Sequence, residues 1–237
     1  MPLTVDLASL IDADAMRRFH KVIYDDLVWP DGAQLAVTSL AADGNRGART
    51  KRASVHDVDR FVALATEIVE AGRQAYVNVA PQQPGLDISA RGKKEVSYGV
   101  PALVADVDCQ GGAHKLADKS GDLPLPTEAE ALELIKAFPL TVTLLIHTGG
   151  GFHVWCGLEE PLDWRSEAGA EALQRWKASL LHLFEVEAGR RFDKTVPADP
   201  ARMLRIPGTA NLKSGLSEPR PVRIVELADV SDRALAA

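Results

Sequence analysis

Ala102-Leu103-Val104-Ala105-Asp106-Val107-Asp108 is an apolar run that ends in two acids two positions apart. A short continuous apolar run bounded by turn formers reads as a buried strand. Side chains alternate across a strand, so Asp106 and Asp108 share one face while Val107 points into the opposite layer. Two ionised carboxylates that close repel each other unless a cation lies between them, and hard ions such as Mg²⁺ or Mn²⁺ take carboxylate oxygen. The same stretch also reads as a strand end whose acids simply face solvent.

Working outward, residues 34–41 read as a mostly apolar strand and residues 42–53 as a Gly- and Arg-containing loop. A helix follows, with Ser54 as N-cap, a stripe of Val58, Phe61, Val62, Ala65, Ile68 and Val69 at helical spacing, and Gly72 as its stop. Residues 76–80 read as a strand, and 81–92 as turn-rich chain leading to the central strand. Beyond it, Thr127-Glu128-Ala129-Glu130 has capping-box form and opens a helix through Leu132, Ile135 and Phe138 that Pro139 ends. Residues 140–146 read as a strand, 153–158 as the second arm of a hairpin, 166–189 as the longest helix and 221–227 as a closing strand. Leu173, Trp176, Leu180, Leu183 and Phe184 line one face of the long helix and read as core. Strands and helices alternate without a repeat or a compositional linker, so the class is α/β or α+β.

Two further stretches carry chemistry. Thr148-Gly149-Gly150-Gly151-Phe152-His153 is a flexible hairpin turn on one reading; on the other, glycine N–H groups cradle phosphate and the histidine bonds a phosphate or sugar oxygen. His147, just before the turn, fits either. Phe192-Asp193 resembles another strand end, with Asp199 as the competing acid. Arg202 and Arg205 are three apart, close enough to converge on one anion if the segment turns, and guanidinium binds phosphate bidentately. Pro207-Gly208-Thr209 turns the chain, with Asn211 and Lys213 after it.

Composition narrows the classes. The chain has 237 residues, 46% hydrophobic and 25% charged, enough for one substantial domain or two lobes sharing a cleft. No apolar run approaches the ~20 residues of a membrane helix, and the N-terminus lacks signal-peptide form, so the expected compartment is the cytoplasm, with no membrane partner. Two cysteines, Cys109 and Cys156, without a CxxC pattern, indicate neither a disulfide framework nor a four-ligand zinc site. His114 lies five residues beyond Cys109, but a small buried residue is the better description of that thiol. A net charge of −6 argues against indiscriminate nucleic-acid binding, although cations cluster locally at Arg46, Arg49, Lys51 and Arg52, at Arg91, Lys93 and Lys94, and around Arg202. No GxxxxGK[ST] pattern is present.

Taken in order, these motifs resemble those of the archaeo-eukaryotic primase superfamily, and within it the primase-polymerase type of phage and plasmid replication proteins. The likeness spans about residues 102–213, and the run Arg202-Met203-Leu204-Arg205-Ile206-Pro207-Gly208-Thr209-Ala210-Asn211-Leu212-Lys213 looks like the "R-x-L-R-x-P-G-T-x-N-x-K" segment of phage members. Thr148 stands where the family often has Ser, and keeps the hydroxyl. The resemblance implies a two-lobed fold of one catalytic domain, an N-terminal α/β lobe over about 1–95 and an RRM-like catalytic sheet over about 96–230, around a central cleft. It implies that Asp106, Asp108 and Asp193 hold two ions, Mg²⁺ or Mn²⁺. Thr148, Gly150, His153, Arg202, Arg205 and Lys213 would then grip an NTP or dNTP. Arg49, Arg52, Arg91, Lys93 and Lys94 would meet single-stranded DNA template, and a helicase or further replication domain would be a partner. A weakly catalytic nucleic-acid-binding module of this fold, and a two-metal nuclease or nucleotide hydrolase, are the competing classes.

Overall fold

The computed structural model describes residues 6–87, 92–113 and 123–225. Helix α1 (Ala13–His20) is capped by the Asp12 carboxylate, which accepts from the Ala15 N–H at 2.9 Å, and a π-helical turn, Lys21–Asp25, extends it. Met16, Phe19 and Tyr24 along this segment are wholly buried. Strand β1 (Gln34–Ala41) then pairs antiparallel with β2 (Gly44–Ser54), so the expected loop over 42–53 is in fact mostly strand. Its charged residues disguise it: β2 is an edge strand, where cations on the outward face are tolerated, and Lys51 reaches Glu67 on the next helix at 2.6 Å.

Helix α2 (Val58–Glu70) is capped by Asp57, whose carboxylate accepts from Arg60 N–H at 2.9 Å, rather than by Ser54, which ends β2. Its apolar stripe packs on β1, β2 and β3 (Gln74–Asn78). Strand β4 (Val100–Asp108) contains the predicted run. The Thr127–Glu130 capping box opens α3 (Glu128–Lys136). Then come β5 (Leu144–His147), β6 (Gly151–Leu162) and α4 (Glu167–Leu181), which a π-helical turn, His182–Glu187, extends. Strands β7 (Met203–Arg205), β8 (Thr209–Asn211) and β9 (Arg220–Val225) end the described chain.

The strands form two antiparallel sheets, β2-β1-β3-β7 and β4-β6-β5-β9-β8. Sequence order does not divide them cleanly. β7 pairs with β3 in the N-terminal sheet and β8 with β9 in the other, so Ile206-Pro207-Gly208 is the chain's passage between sheets. One buried cluster joins both, running from Phe19 and Phe61 through Trp155 to Trp176 and Phe184. Among the described residues no helix is long and apolar enough to cross a membrane.

Candidate active site

The β4/β6 register sets Asp106 opposite His153 and Asp108 opposite Gly151. A Cβ on Gly151 would lie 2.1 Å from the Val107 carbonyl oxygen, so only glycine lets β6 close on β4 here. His153 Nε2 stands 3.7 Å from Asp106 Oδ1, beyond hydrogen-bonding distance, and the His153 ring is buried. Burial, then the negative charges of Asp108 and Asp193, push the Asp106 carboxyl up to about 7, against the pull of Arg202 and Arg205. Burial acts on His153 in the opposite sense. Burial and the two arginines hold it well below the usual histidine range, against a backbone contact to Arg205, so its neutral form is the stable one.

The glycine turn is tied down by its own backbone. The Thr148 N–H and Oγ1–H both donate to the Gly151 carbonyl, at 2.9 and 3.2 Å, so this hydroxyl closes the turn. The Thr148 carbonyl accepts from Asn211 Nδ2 at 2.8 Å, and the Gly150 carbonyl from Cys109 N–H at 3.0 Å. Arg220, which sequence reasoning passed over, donates from Nη1 to the Gly149 carbonyl at 2.6 Å and the Gly111 carbonyl at 3.3 Å. His147 lies 2.9 Å from Glu128 Oε1 through Nε2 and accepts from Gly149 N–H at Nδ1, which assigns it to holding the turn. Burial, followed by Glu128, Asp108 and Asp106, pushes the Cys109 thiol up to about 12, so it stays protonated; His114 lies outside the described residues.

Asp193 is the acid that Asp106 feels from the third stretch. Its Oδ1 accepts from Thr195 N–H and Oγ1–H at 2.8 and 2.5 Å, and its Oδ2 from Arg202 Nη2 at 3.3 Å. Asp199, the competitor, accepts from Ala201 N–H within its own turn. Gly208, at φ 80°, sits under the start of α1: a Cβ there would lie 2.1 Å from the Asp12 carbonyl oxygen, and Asp12 N–H donates to the Gly208 carbonyl at 2.9 Å. This contact fixes the passage that sets Arg205 on the N-terminal sheet, facing acids on the other. Lys213 is half-buried just after β8, its N–H donating to Asn211 Oδ1 at 3.2 Å.

Arg205 brings a residue that the motifs did not mark. It pairs with Tyr76 across β7 and β3, and its guanidinium lies 5.1 Å over the Tyr76 ring. Burial raises the Tyr76 hydroxyl, with Arg205 opposing and Asp106 assisting, which places Tyr76 in the same electrostatic neighbourhood. The signal was available: Gln74, Tyr76 and Asn78 put polar groups at every second position of an otherwise apolar strand, marking a face turned to a polar site.

The cations expected to meet template do not all share one face, although Gln82, the partner of Arg52, sits against Gly92 next to Lys93. Arg49 and Arg52, an odd number of positions apart on β2, project from opposite faces. Arg52 donates to the Asp87 carbonyl at 2.8 Å and Gln82 Oε1 at 3.2 Å, holding the crossover after β3. Lys93 and Lys94 are exposed, with Lys94 Nζ 5.9 Å over the Trp164 ring and the Arg165 guanidinium 4.6 Å over it. Arg91 lies outside the described residues.

Among the described residues, no three His, Cys, Asp or Glu side chains are arranged as a preformed metal cage. The donor chemistry nevertheless fits a hard cation. Two carboxylates share one strand face, and the burial and neighbouring acids that raise Asp106 are conditions a bound cation would relieve.

No protein-family model matches the chain, and no curated protein sequence does. The fold is that of solved primase domains. The cyanophage S-2L primase-polymerase AEP domain is similar over 93% of this chain and 95% of that one, with a TM-score of 0.56 and 16% identity. The primase RepB′ crystal structure is similar over 90% of this chain and 56% of that one, at TM-score 0.53 and 14% identity. The catalytic domain of RepB′ in complex with initiator DNA covers 93% and 85%, at 0.52 and 13%. The expected α/β class and archaeo-eukaryotic primase-polymerase type of fold are thus met.

Proposed function

We propose that the protein is a metal-dependent nucleotidyltransferase that joins nucleoside triphosphates on a single-stranded DNA template, as a primase-polymerase. The observation that carries this is that arginines and acids meet: Arg202 Nη2 donates to Asp193 Oδ2 at 3.3 Å, and Arg202 and Arg205 both act on Asp106 and His153. Clustered acids alone would also serve phosphodiester cleavage. Acids faced by two guanidiniums suit a polyanionic nucleotide. The primase folds above, one of them in complex with initiator DNA, support the same reading.

In this reading Asp106, Asp108 and Asp193 hold two divalent cations, Mg²⁺ or Mn²⁺. Bound there, such ions neutralise triphosphate charge and favour ionisation of a primer 3′-hydroxyl. Arg205, Arg202 and Lys213 neutralise the phosphates. His153, kept neutral by burial and its arginine neighbours, gives one ring N–H to a phosphate or sugar oxygen without adding repulsion toward those arginines. Thr148 and Gly150 act by shaping the turn, since the Thr148 hydroxyl and Gly150 carbonyl are engaged within the fold. Lys93 and Lys94 are the exposed cations for template phosphates, and a helicase or further domain would deliver the strand.

Equilibrium titration of fluorescent NTP and dNTP, with Mn²⁺, tests the binding half. Arg205→Ala is expected to weaken affinity by about tenfold or more, as for loss of a charge-assisted hydrogen bond. Undetectable nucleotide binding by the folded wild type would overturn the proposal, and degradation of added DNA faster than its extension would move the assignment to the nuclease class.

A further inference from the structure

We infer that Gln74 is a positioning residue for the nucleotide, holding the Arg205 guanidinium at the angle from which it meets the triphosphate. The inference rests on the proposed function above. Gln74 lies on β3 and is 2% exposed. Its Oε1 accepts from Arg205 Nη2 at 2.9 Å and from the Tyr76 hydroxyl at 3.3 Å, while its Nε2 donates to the Ala41 carbonyl at 3.1 Å. Both ends of the amide are therefore used. Turning it over would set its N–H groups against those of Arg205 and its oxygen against the Ala41 carbonyl.

The chemistry of the partner matters. Among the described residues Arg202 is paired with a carboxylate, Asp193, whereas Arg205 is held by a neutral amide and by the face of Tyr76. An amide oxygen orients a guanidinium without cancelling its charge, so Arg205 keeps its full positive charge for an incoming anion. A buried carboxylate at position 74 would orient the same group and neutralise it. The anchor at Ala41 extends the effect: the next carbonyl, Ala42, accepts from Ser214 N–H at 2.8 Å, so one corner of the N-terminal sheet steadies both Arg205 and the segment carrying Lys213.

The test is nucleotide titration and steady-state kinetics on the full chain for wild type, Gln74→Met, Gln74→Glu, Arg205→Ala and the Gln74→Met/Arg205→Ala double variant, using fluorescent dATP with Mn²⁺. Gln74→Met is expected to weaken dATP binding and raise KM by about tenfold, the low end for one lost hydrogen bond to a charged group, with kcat changed less than about twofold. In the Arg205→Ala background it should cost nothing further, because residues acting through one group are not additive. Gln74→Glu should also weaken binding, and it carries the test if Gln74→Met does not fold. Wild-type affinity in Gln74→Met or Gln74→Glu beside a weakened Arg205→Ala, or losses that add in full, would overturn the inference alone. Unchanged binding in Arg205→Ala would overturn it together with the assigned role of Arg205.

Discussion

Asp106 carries a carboxyl that burial and two neighbouring acids push up to about 7, far above its value in an unfolded chain. Between roughly pH 4 and 7 the unfolded chain has released this proton while the folded protein still holds it. The folded state then binds more protons, so this group makes stability fall as pH rises through that window. Asp106→Asn should flatten that part of the slope, and added Mn²⁺ should restore stability near pH 7 by favouring the ionised form. Thermal melts of both proteins from pH 4.5 to 7.5 check it; identical slopes would contradict the assignment. Gly151→Ala tests a different contact at this scale. The new methyl would lie 2.1 Å from the Val107 carbonyl oxygen, and unfolding in urea should show a loss of about 2 to 4 kcal/mol.

The passage from β7 to β8 is the element that makes the site, because it sets Arg205 on one sheet and the chain after it on the other. Gly208→Ala would press against the Asp12 carbonyl at the start of α1 and force a strained φ of 80°. It should weaken nucleotide binding about tenfold or more through displaced arginines, as for a lost charge-assisted bond, while Mn²⁺ binding by the acids changes little. Parallel titrations of the two ligands would show it. The acids, the histidine turn and the Arg202–Lys213 run were legible in the sequence because each is local, its meaning set by spacing within a few residues. The pairing of β7 with β3, and hence the place of Gln74 and Tyr76 beside Arg205, was not, since nothing near residue 205 encodes a partner 129 positions upstream. β2 was misread because edge-strand charges resemble those of a loop.

Across the whole molecule the net charge of −6 leaves little general attraction for DNA, and Arg49 projects from the opposite face of β2 to Arg52. Binding of single-stranded DNA by this chain alone should be weak and fall steeply with salt, by about tenfold or more between 50 and 200 mM for a few phosphate contacts. Fluorescence anisotropy with a labelled oligonucleotide measures it, and tight salt-insensitive binding would contradict it. The two sheets and their shared core bring acids and arginines from opposite halves of the chain to one place, and the chemistry proposed there is nucleotidyl transfer. The most direct test is incorporation of a labelled NTP or dNTP, offered separately with Mg²⁺ or Mn²⁺ on primed and unprimed single-stranded templates, by wild type and by Asp106→Asn. The expected result is a product lengthened by the wild type, with the rate lowered by about a thousandfold or more in a variant that folds normally, as for loss of a metal-binding carboxylate at the reacting centre. A folded wild type that lengthens no template, or an Asp106→Asn variant as active as wild type, would contradict it.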